Sequence, residues 1–173
     1  MVIRNTVLLG DPRLREVSEI VVFDKKLSQI LDDLKDTLTE HQRIYGMGRG
    51  LAAPQIGYNK RIVYVQTPVF TGYLINPEIV WQSNEEFELW DSCFSMEAKF
   101  FVKINRSKSI KVKYVDEFNE FHNETFHDDM SELIQHEIDH LDGIICSDHI
   151  LEPKNIVMRQ EWEKRYRTPG IGM

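Results

Sequence analysis

DDMSELIQHEIDHLDG, residues 128–143, is the stretch that decides the fold and the chemistry of this chain. Acidic residues in its first turn and Gly143 at its end predict a helix between them. His136 and His140 are four positions apart, so on a helix both imidazoles lie on one face and can bind one metal ion. Glu137 lies about 100° round the helix from His136, where its carboxylate can reach a water molecule without binding the metal.

This H-E-x-x-H motif indicates hydrolytic chemistry. A divalent metal lowers the pKa of water, and a neighbouring carboxylate takes the proton as the water attacks a carbonyl group. The alternative is a solvated helix with alternating charges, on which two histidines fall at this spacing by chance. We favour the metal interpretation, which requires a third protein ligand because catalytic sites of this kind commonly have three.

The two cysteines of the chain stand in different surroundings. Cys93 lies in ELWDSCFSME (88–97), a polar segment between predicted strands, which is the better position for a thiolate ligand beside imidazoles. Cys146, in the apolar run GIIC, is interpreted as a core residue, since free cysteine is often buried. The remaining histidines are interpreted as surface or hydrogen-bonded structural residues: His41, His122, His127 and His149.

Length and composition predict one soluble domain over residues 1–173, with 168–173 as a flexible tail. The net charge of −7 argues against direct nucleic-acid binding. No apolar run approaches the roughly 18 residues of a membrane span, and no signal peptide is predicted. The two widely separated cysteines argue against a disulfide framework, so we expect the protein in the reducing cytoplasm. We also expect a monomer that does not bind membranes.

Periodicity along the chain predicts an α+β domain rather than a doubly wound sheet. Apolar residues at helical spacing predict an N-terminal helix with Asp24 as its N-cap and Gly46 at its end. A C-terminal helix is predicted over 154–167. Five stretches rich in β-branched and aromatic residues are predicted strands: 61–66, 72–80, 99–104, 109–115 and 120–126.

GMGRGLAAPQIG, residues 46–57, packs small residues around Gln55. Small side chains allow close backbone approach, and exposed backbone N–H groups can bind an extended ligand. The glycines could equally be turn residues, and the small side chains could serve tight packing. The segment is not a dinucleotide fingerprint, because no predicted strand leads into it and no helical pattern follows.

Three elements together resemble one known family, the peptide deformylases: GLAAPQIG, a cysteine flanked by an acid and serines, and QHEIDHLDG. The likeness runs from LLGDPRLREVSEIVVFD to HLDG, nearly the whole chain, and the first and third motifs together are highly specific. The resemblance implies mixed or antiparallel β-sheets around a central H-E-x-x-H helix, with an N-terminal and a C-terminal helix. It also implies a hydrolase that removes the N-formyl group from the N-terminal methionine of nascent peptides and releases formate.

In that family one divalent metal ion, natively iron(II), is held by the cysteine of the second motif and the histidines of the third, and zinc, nickel or cobalt can replace it. The implied ligands in this chain are Cys93, His136 and His140. Glu137 is the implied general base, and Gln55 with the backbone N–H of Phe94 is the implied oxyanion hole. The implied substrate-contacting residues are Gly48, Arg49, Gly50, Leu51, Leu89, Asp91, Glu132 and Leu133. The implied partner is an N-formylmethionyl peptide or a nascent chain at the ribosome.

The second motif departs from the family pattern Glu-Gly-Cys-Leu-Ser. Residues 91–95 read Asp-Ser-Cys-Phe-Ser, and Glu97 stands where a proline is usual. The family's acid usually pairs with a downstream arginine, and Asp91 with Arg106 could replace that pair. Phe94 still offers its backbone N–H, so the oxyanion hole need not fail.

Two charged residues, Arg49 and Glu132, stand where the family's methionine pocket is usually apolar. If both face the pocket we expect an ion pair, because a buried unpaired charge is very costly. Otherwise Arg49 extends to solvent and the pocket stays apolar. The pair would favour another formylated or acylated amine over formylmethionyl peptides. A zinc endopeptidase, which shares H-E-x-x-H, and a non-catalytic metal- or peptide-binding relative also stay open.

Overall fold

The computed structural model describes residues 2–167, so the predicted flexible tail lies outside the described residues. Within that range the chain has an α+β fold, which confirms the predicted fold class. The helices are α1 (Leu27–Tyr45), α2 (Asp128–Leu141) and α3 (Arg159–Arg165). The strands are β1 (Gly50–Ala52), β2 (Ile62–Gln66), β3 (Thr71–Gln82), β4 (Glu86–Asp91), β5 (Phe100–Ser107), β6 (Ser109–Val115), β7 (Phe121–His127) and β8 (Ile156–Met158). None of these helices has the length and apolar character needed to cross a membrane.

Helix α1 confirms the predicted N-terminal helix but not its predicted cap. Lys26 is the N-cap residue, while the Asp24 carboxylate accepts hydrogen bonds from the N–H groups of Lys26 at 2.8 Å and Leu27 at 3.2 Å. Gly46 ends the helix in the left-handed conformation, with φ of 65°, which glycine adopts at little steric cost. The sequence signal at the C-terminus was therefore sharper than the signal at the N-terminus.

The strands form two antiparallel sheets. The larger has the order β1-β2-β3-β6-β7, and within the described residues β1 is one of its edges. The smaller has the order β4-β5-β8. All five predicted strands are confirmed, and β1, β4 and β8 were missed.

The prediction of one helix over 154–167 is wrong in its first half. Residues 156–158 form β8, which pairs with 100–102 of β5, and helix α3 begins only at Arg159. Pairing with β5 gives these three residues cross-strand hydrogen bonds and neighbours, and tertiary contacts of this kind override a weak local helical preference. The helix that follows anchors the sheet through Trp162, which stacks on Phe101 with ring centroids 4.1 Å apart.

Helix α2 contacts strands of both sheets, which confirms its predicted central position. One side of the helix joins a buried apolar cluster with the larger sheet through Leu133, Ile134, Ile138 and Leu141. Its histidines lie toward the turn that follows β4. The helix thus holds its polar motif inside the molecule, because apolar contacts fix the side that faces the sheet.

The extended segment before α1 crosses the two turns that follow β1 and β4. The N–H of Val7 donates to the carbonyl oxygen of Gln55 at 2.7 Å, and the N–H of Leu9 donates to the carbonyl oxygen of Ser95 at 2.8 Å. These two hydrogen bonds tie the turn that carries Gln55 to the turn that follows Cys93.

Candidate metal centre and peptide-binding cavity

Three ligand atoms from two parts of the chain converge beside α2. The Sγ of Cys93 and one ring nitrogen each of His136 and His140 all lie within 4.8 Å of one another, and all three residues are buried. The two Nε2 atoms are 3.2 Å apart, so both rings point at one position. This confirms the prediction, made from the i, i+4 spacing, that the two histidines share one face of the helix.

Behind His136 lies a chain of ion pairs and hydrogen bonds that we call the rear network, formed by Asp91, Arg106, Asp139 and His149. The Nδ1–H of His136 donates to Asp91 Oδ2 at 2.9 Å, which fixes the ring and leaves Nε2 free for a ligand. Arg106 contacts Asp91 at 3.4 Å and also pairs with Asp139, whose carboxylate accepts from His149. Asp91 and Arg106 therefore form the pair that the sequence suggested.

The pKa of Asp91 reflects this position. Burial raises it, but the charges and hydrogen bonds of His136 and Arg106 outweigh burial and lower the pKa to about 2. The carboxylate stays ionised and available to orient the imidazole.

Cys146 is buried in the core as predicted, but the structure adds a contact that the sequence did not reveal. Its thiol hydrogen-bonds to Cys93, and this is the largest cause that lowers the pKa of Cys93 well below its usual range. The pKa of Cys146 is raised in turn, by that bond and by burial. The chain reverses at Gly143, with φ of 73°, which returns Cys146 to the back of the ligand cluster.

Glu137 lies in the same cavity as the ligand cluster and is buried. Its Oε2 has no hydrogen-bond partner among residues 2–167. Burial raises the pKa of this carboxyl group, and the charges of His136 and His140 offset part of that rise. A Cβ atom on Gly50 would lie 2.5 Å from Glu137 Oε1, so the carboxylate needs glycine at that position. An unpaired buried carboxylate is the group expected of a proton acceptor.

Gln55 and Phe94 lie on the two turns beside Cys93. The Oε1 of Gln55 accepts from the N–H of Ala52 at 2.9 Å, so its amide donors point the other way, toward Ser95 Oγ at 3.4 Å. Phe94 opens a short 3-10 turn, and the first N–H groups of such a turn have no partner within it. Both residues line the cavity, so both can present donors to a ligand there.

The cavity gathers most of the residues implied as functional. Those on its wall are Gly48, Arg49, Gly50, Gln55, Asp91, Cys93, Phe94, Glu132, Leu133, His136 and Glu137. Residues on the wall that sequence reasoning missed are Met47, Trp90, Ser92 and Ala98. Leu51 and Leu89 do not line it. Leu51 packs in the core under α1, because it faces away from its neighbour Gly50 on the strand. Leu89 packs against the apolar cluster that holds Cys93 and Cys146.

Arg49 and Glu132, which we call the cavity-wall pair, form the expected ion pair. Arg49 Nη2 donates to both carboxylate oxygens of Glu132, at 2.8 and 3.0 Å, and Nη1 donates to Asp129 Oδ2 at 2.9 Å. The side chains of the pair are only 15% and 12% exposed, so the alternative of an arginine extended to solvent is wrong. Burial outweighs the attraction of Arg49 and raises the pKa of Glu132 to about 7.

The fold and the donor set together define a class, the α+β metalloproteins whose cation site lies on a central H-E-x-x-H helix. Residues 3–155 match the family model described as Polypeptide deformylase. The chain belongs to the polypeptide deformylase family.

Relatives and solved structures agree with this family. The chain is 36% identical over 155 residues to the peptide deformylase of Pseudothermotoga lettingae, with 89% of this chain and 86% of that one covered. It is 31% identical over 183 residues to the peptide deformylase of Bartonella bacilliformis, covering 99% and 97%. The crystal structure of peptide deformylase from Thermotoga maritima superposes with a TM-score of 0.81 at 31% identity, covering 88% of this chain and 100% of that one. The Met-Ala-Ser-bound peptide deformylase of Acinetobacter baumannii superposes with a TM-score of 0.77 at 26% sequence identity, with 86% of this chain and 99% of that one covered.

Proposed function

We propose that this chain is a metal-dependent peptide deformylase that removes the N-formyl group from the N-terminal methionine of nascent peptides and releases formate. One observation carries the proposal: Cys93, His136 and His140 converge, and Cys93 and His136 line the cavity that also holds the unpaired carboxylate of Glu137. Family membership and the peptide-bound relative from Acinetobacter baumannii support it. The reaction belongs to the hydrolysis of linear amides.

The donor set fits one divalent metal ion. One thiolate and two imidazoles suit iron(II), which we propose as the native metal, and also zinc, nickel or cobalt in a purified sample. The lowered pKa of Cys93 favours the thiolate form that a ligand requires. A metal held by Cys93, His136 and His140 supplies Lewis acidity to the formyl oxygen and to the attacking water.

The residues around this position supply the proton transfers and the donors. Glu137 takes a proton from the water that attacks the formyl carbon, then delivers it to the leaving amine. Gln55 and the backbone N–H of Phe94 donate to the oxygen that becomes negative in the transition state. Loss of one such donor typically costs on the order of 10² to 10³ in rate.

The edge strand β1 gives the peptide a place to bind. Gly48 and Gly50 line the cavity at the start of this strand, and an extended peptide can add to a free sheet edge through main-chain hydrogen bonds. We propose that one domain, residues 1–173, acts as a monomer in the cytoplasm on nascent chains at the ribosome, without binding nucleic acid or membrane.

Formate release from formyl-Met-Ala tests the function, with the metal content of the same anaerobic preparation measured in parallel. Wild type is expected to release formate, and Glu137→Gln is expected to lose on the order of 10² to 10⁴ in kcat while keeping its metal. Glu124→Gln, on the exposed edge strand β7, is the matched control and keeps full activity.

Other outcomes would identify the alternatives. Metal binding without formate release would indicate a non-catalytic metal- or peptide-binding relative. Casein cleavage without formate release would indicate an endopeptidase.

A further inference from the structure

The wall of the reaction cavity is charged on one side. Glu132 lies one helical turn before His136, so the two side chains share a face of α2. Arg49 reaches it from the start of β1, and both line the cavity beside Glu137. The wall also includes the apolar side chains of Met47, Trp90, Ala98 and Leu133.

The cavity-wall pair keeps hydrogen-bonding capacity for a ligand. A guanidinium group has five N–H donors, and the structure uses Nη1 on Asp129 and Nη2 on Glu132 among residues 2–167. The Glu132 carboxylate has about four lone-pair positions, of which Arg49 occupies two. Both side chains are mostly removed from solvent, so a ligand that displaces the remaining water must replace its hydrogen bonds.

The first side chain of a formyl peptide reaches this wall. The formyl carbon must lie at the position that Cys93, His136 and His140 surround, and the first Cα is within about one residue length, 3.8 Å, of the formyl group. Glu132 lies one helical turn before the ligand His136 on the cavity wall, and Arg49 pairs with it there. The side chain of the first residue therefore ends against the pair.

We propose that the Arg49–Glu132 pair makes this cavity select formyl peptides whose first side chain is neutral, of about methionine length, and ends in a group that both donates and accepts hydrogen bonds. This rests on the proposed function. An amide end, as in glutamine, satisfies the pair, whereas an apolar end of equal length leaves its donors and acceptors without partners. A carboxylate end adds a like charge beside Glu132 and Asp129, which already share one cation, and an ammonium end cannot accept a hydrogen bond from Arg49.

The decisive comparison needs no variant: kcat/KM for formyl-Gln-Ala against formyl-norleucyl-Ala, which has the same length but an apolar end. We expect the glutamine peptide to be preferred by about tenfold or more, with formyl-Met-Ala between them because its sulfur is a weak acceptor. In the double variant Arg49→Leu/Glu132→Leu, which leaves neither charge orphaned, the order is expected to reverse.

The control is Glu40→Leu/Arg43→Leu, which removes an exposed ion pair of α1 away from the cavity and keeps the wild-type order. Preference of wild type for norleucine over glutamine overturns the inference and leaves the proposed function intact. Absence of formate from every peptide, with metal bound, overturns the proposed function and the inference with it.

Discussion

The rear network and the cavity-wall pair contact one face of α2 at different points along its length, the first at His136 and Asp139 and the second at Glu132, and they use similar charged groups for different purposes. In the rear network the carboxylate of Asp91 accepts a hydrogen bond from His136 and pairs with Arg106, and its pKa falls to about 2. In the cavity-wall pair Glu132 shares one cation, Arg49, with Asp129, and its pKa rises to about 7. Each acid is buried beside one arginine, but Glu132 also lies near two other acids, Asp91 and Asp129, which help to raise its pKa. The first arrangement holds a ligand, and the second faces whatever enters the cavity.

Arg106→Leu should produce the largest effect, since it leaves Asp91 and Asp139 buried without their cation. We expect a loss of about 3–5 kcal/mol in the free energy of unfolding, measured by denaturant titration. Arg15→Leu, which breaks the exposed pair with Asp148, is the matched control and should cost less than about 1 kcal/mol. Equal losses in the two variants would mean that the rear network is no more than a surface pair.

The variant Glu132→Gln tests whether the pKa of Glu132 is raised. Because the folded-state pKa of Glu132 is raised from 4.5 to about 7, its contribution to stability is fully present below pH 4.5 and is lost as the pH rises through 7. That change amounts to about 3 kcal/mol, and it should vanish in the glutamine variant. Unfolding of both proteins between pH 4 and 8 measures it, and parallel curves would contradict a raised pKa.

Asp91→Asn tests whether the rear network acts through His136. Without the carboxylate the imidazole loses its orienting partner, and we expect metal affinity to fall about 10- to 100-fold. Competition with a chelator measures the affinity, and Asp142→Asn, at the exposed end of α2, is the control. The ranking of peptide substrates should not change, because the cavity-wall pair is intact. If Asp91→Asn changed the ranking of peptide substrates and left metal affinity unchanged, the rear network would act on substrate choice and not on metal binding.

Sequence reasoning predicted the elements that carry a long periodic signal. The two long helices and five strands were found because a buried face repeats along each of them. Strands β1 and β8 have three residues each, too few for a period, and β8 owes its form to pairing with β5. The limits of α3 were wrong for the same reason.

In the candidate site, too, some residues could be predicted from the sequence and others could not. The ligand and base positions follow from spacing within one helix and from motifs, so the convergence of Cys93 with His136 and His140 could be anticipated. The contact of Cys146 with Cys93 could not, because it depends on how the chain turns at Gly143 after α2. Leu51 was placed on the wrong side of its strand, since a three-residue strand gives no pattern to fix which side faces the core.

The hydrogen bonds from Val7 and Leu9 to the two active turns have a consequence for the order of folding. The segment can bind α1 first, through Arg4 and Thr6, but Leu9 has no partner at the second turn until Ser95 has been synthesised. Deleting residues 2–9 would remove no side chain of the cavity, yet it would release both turns at once. A segment that supplies no group to the chemistry therefore fixes the relative position of the two turns that do.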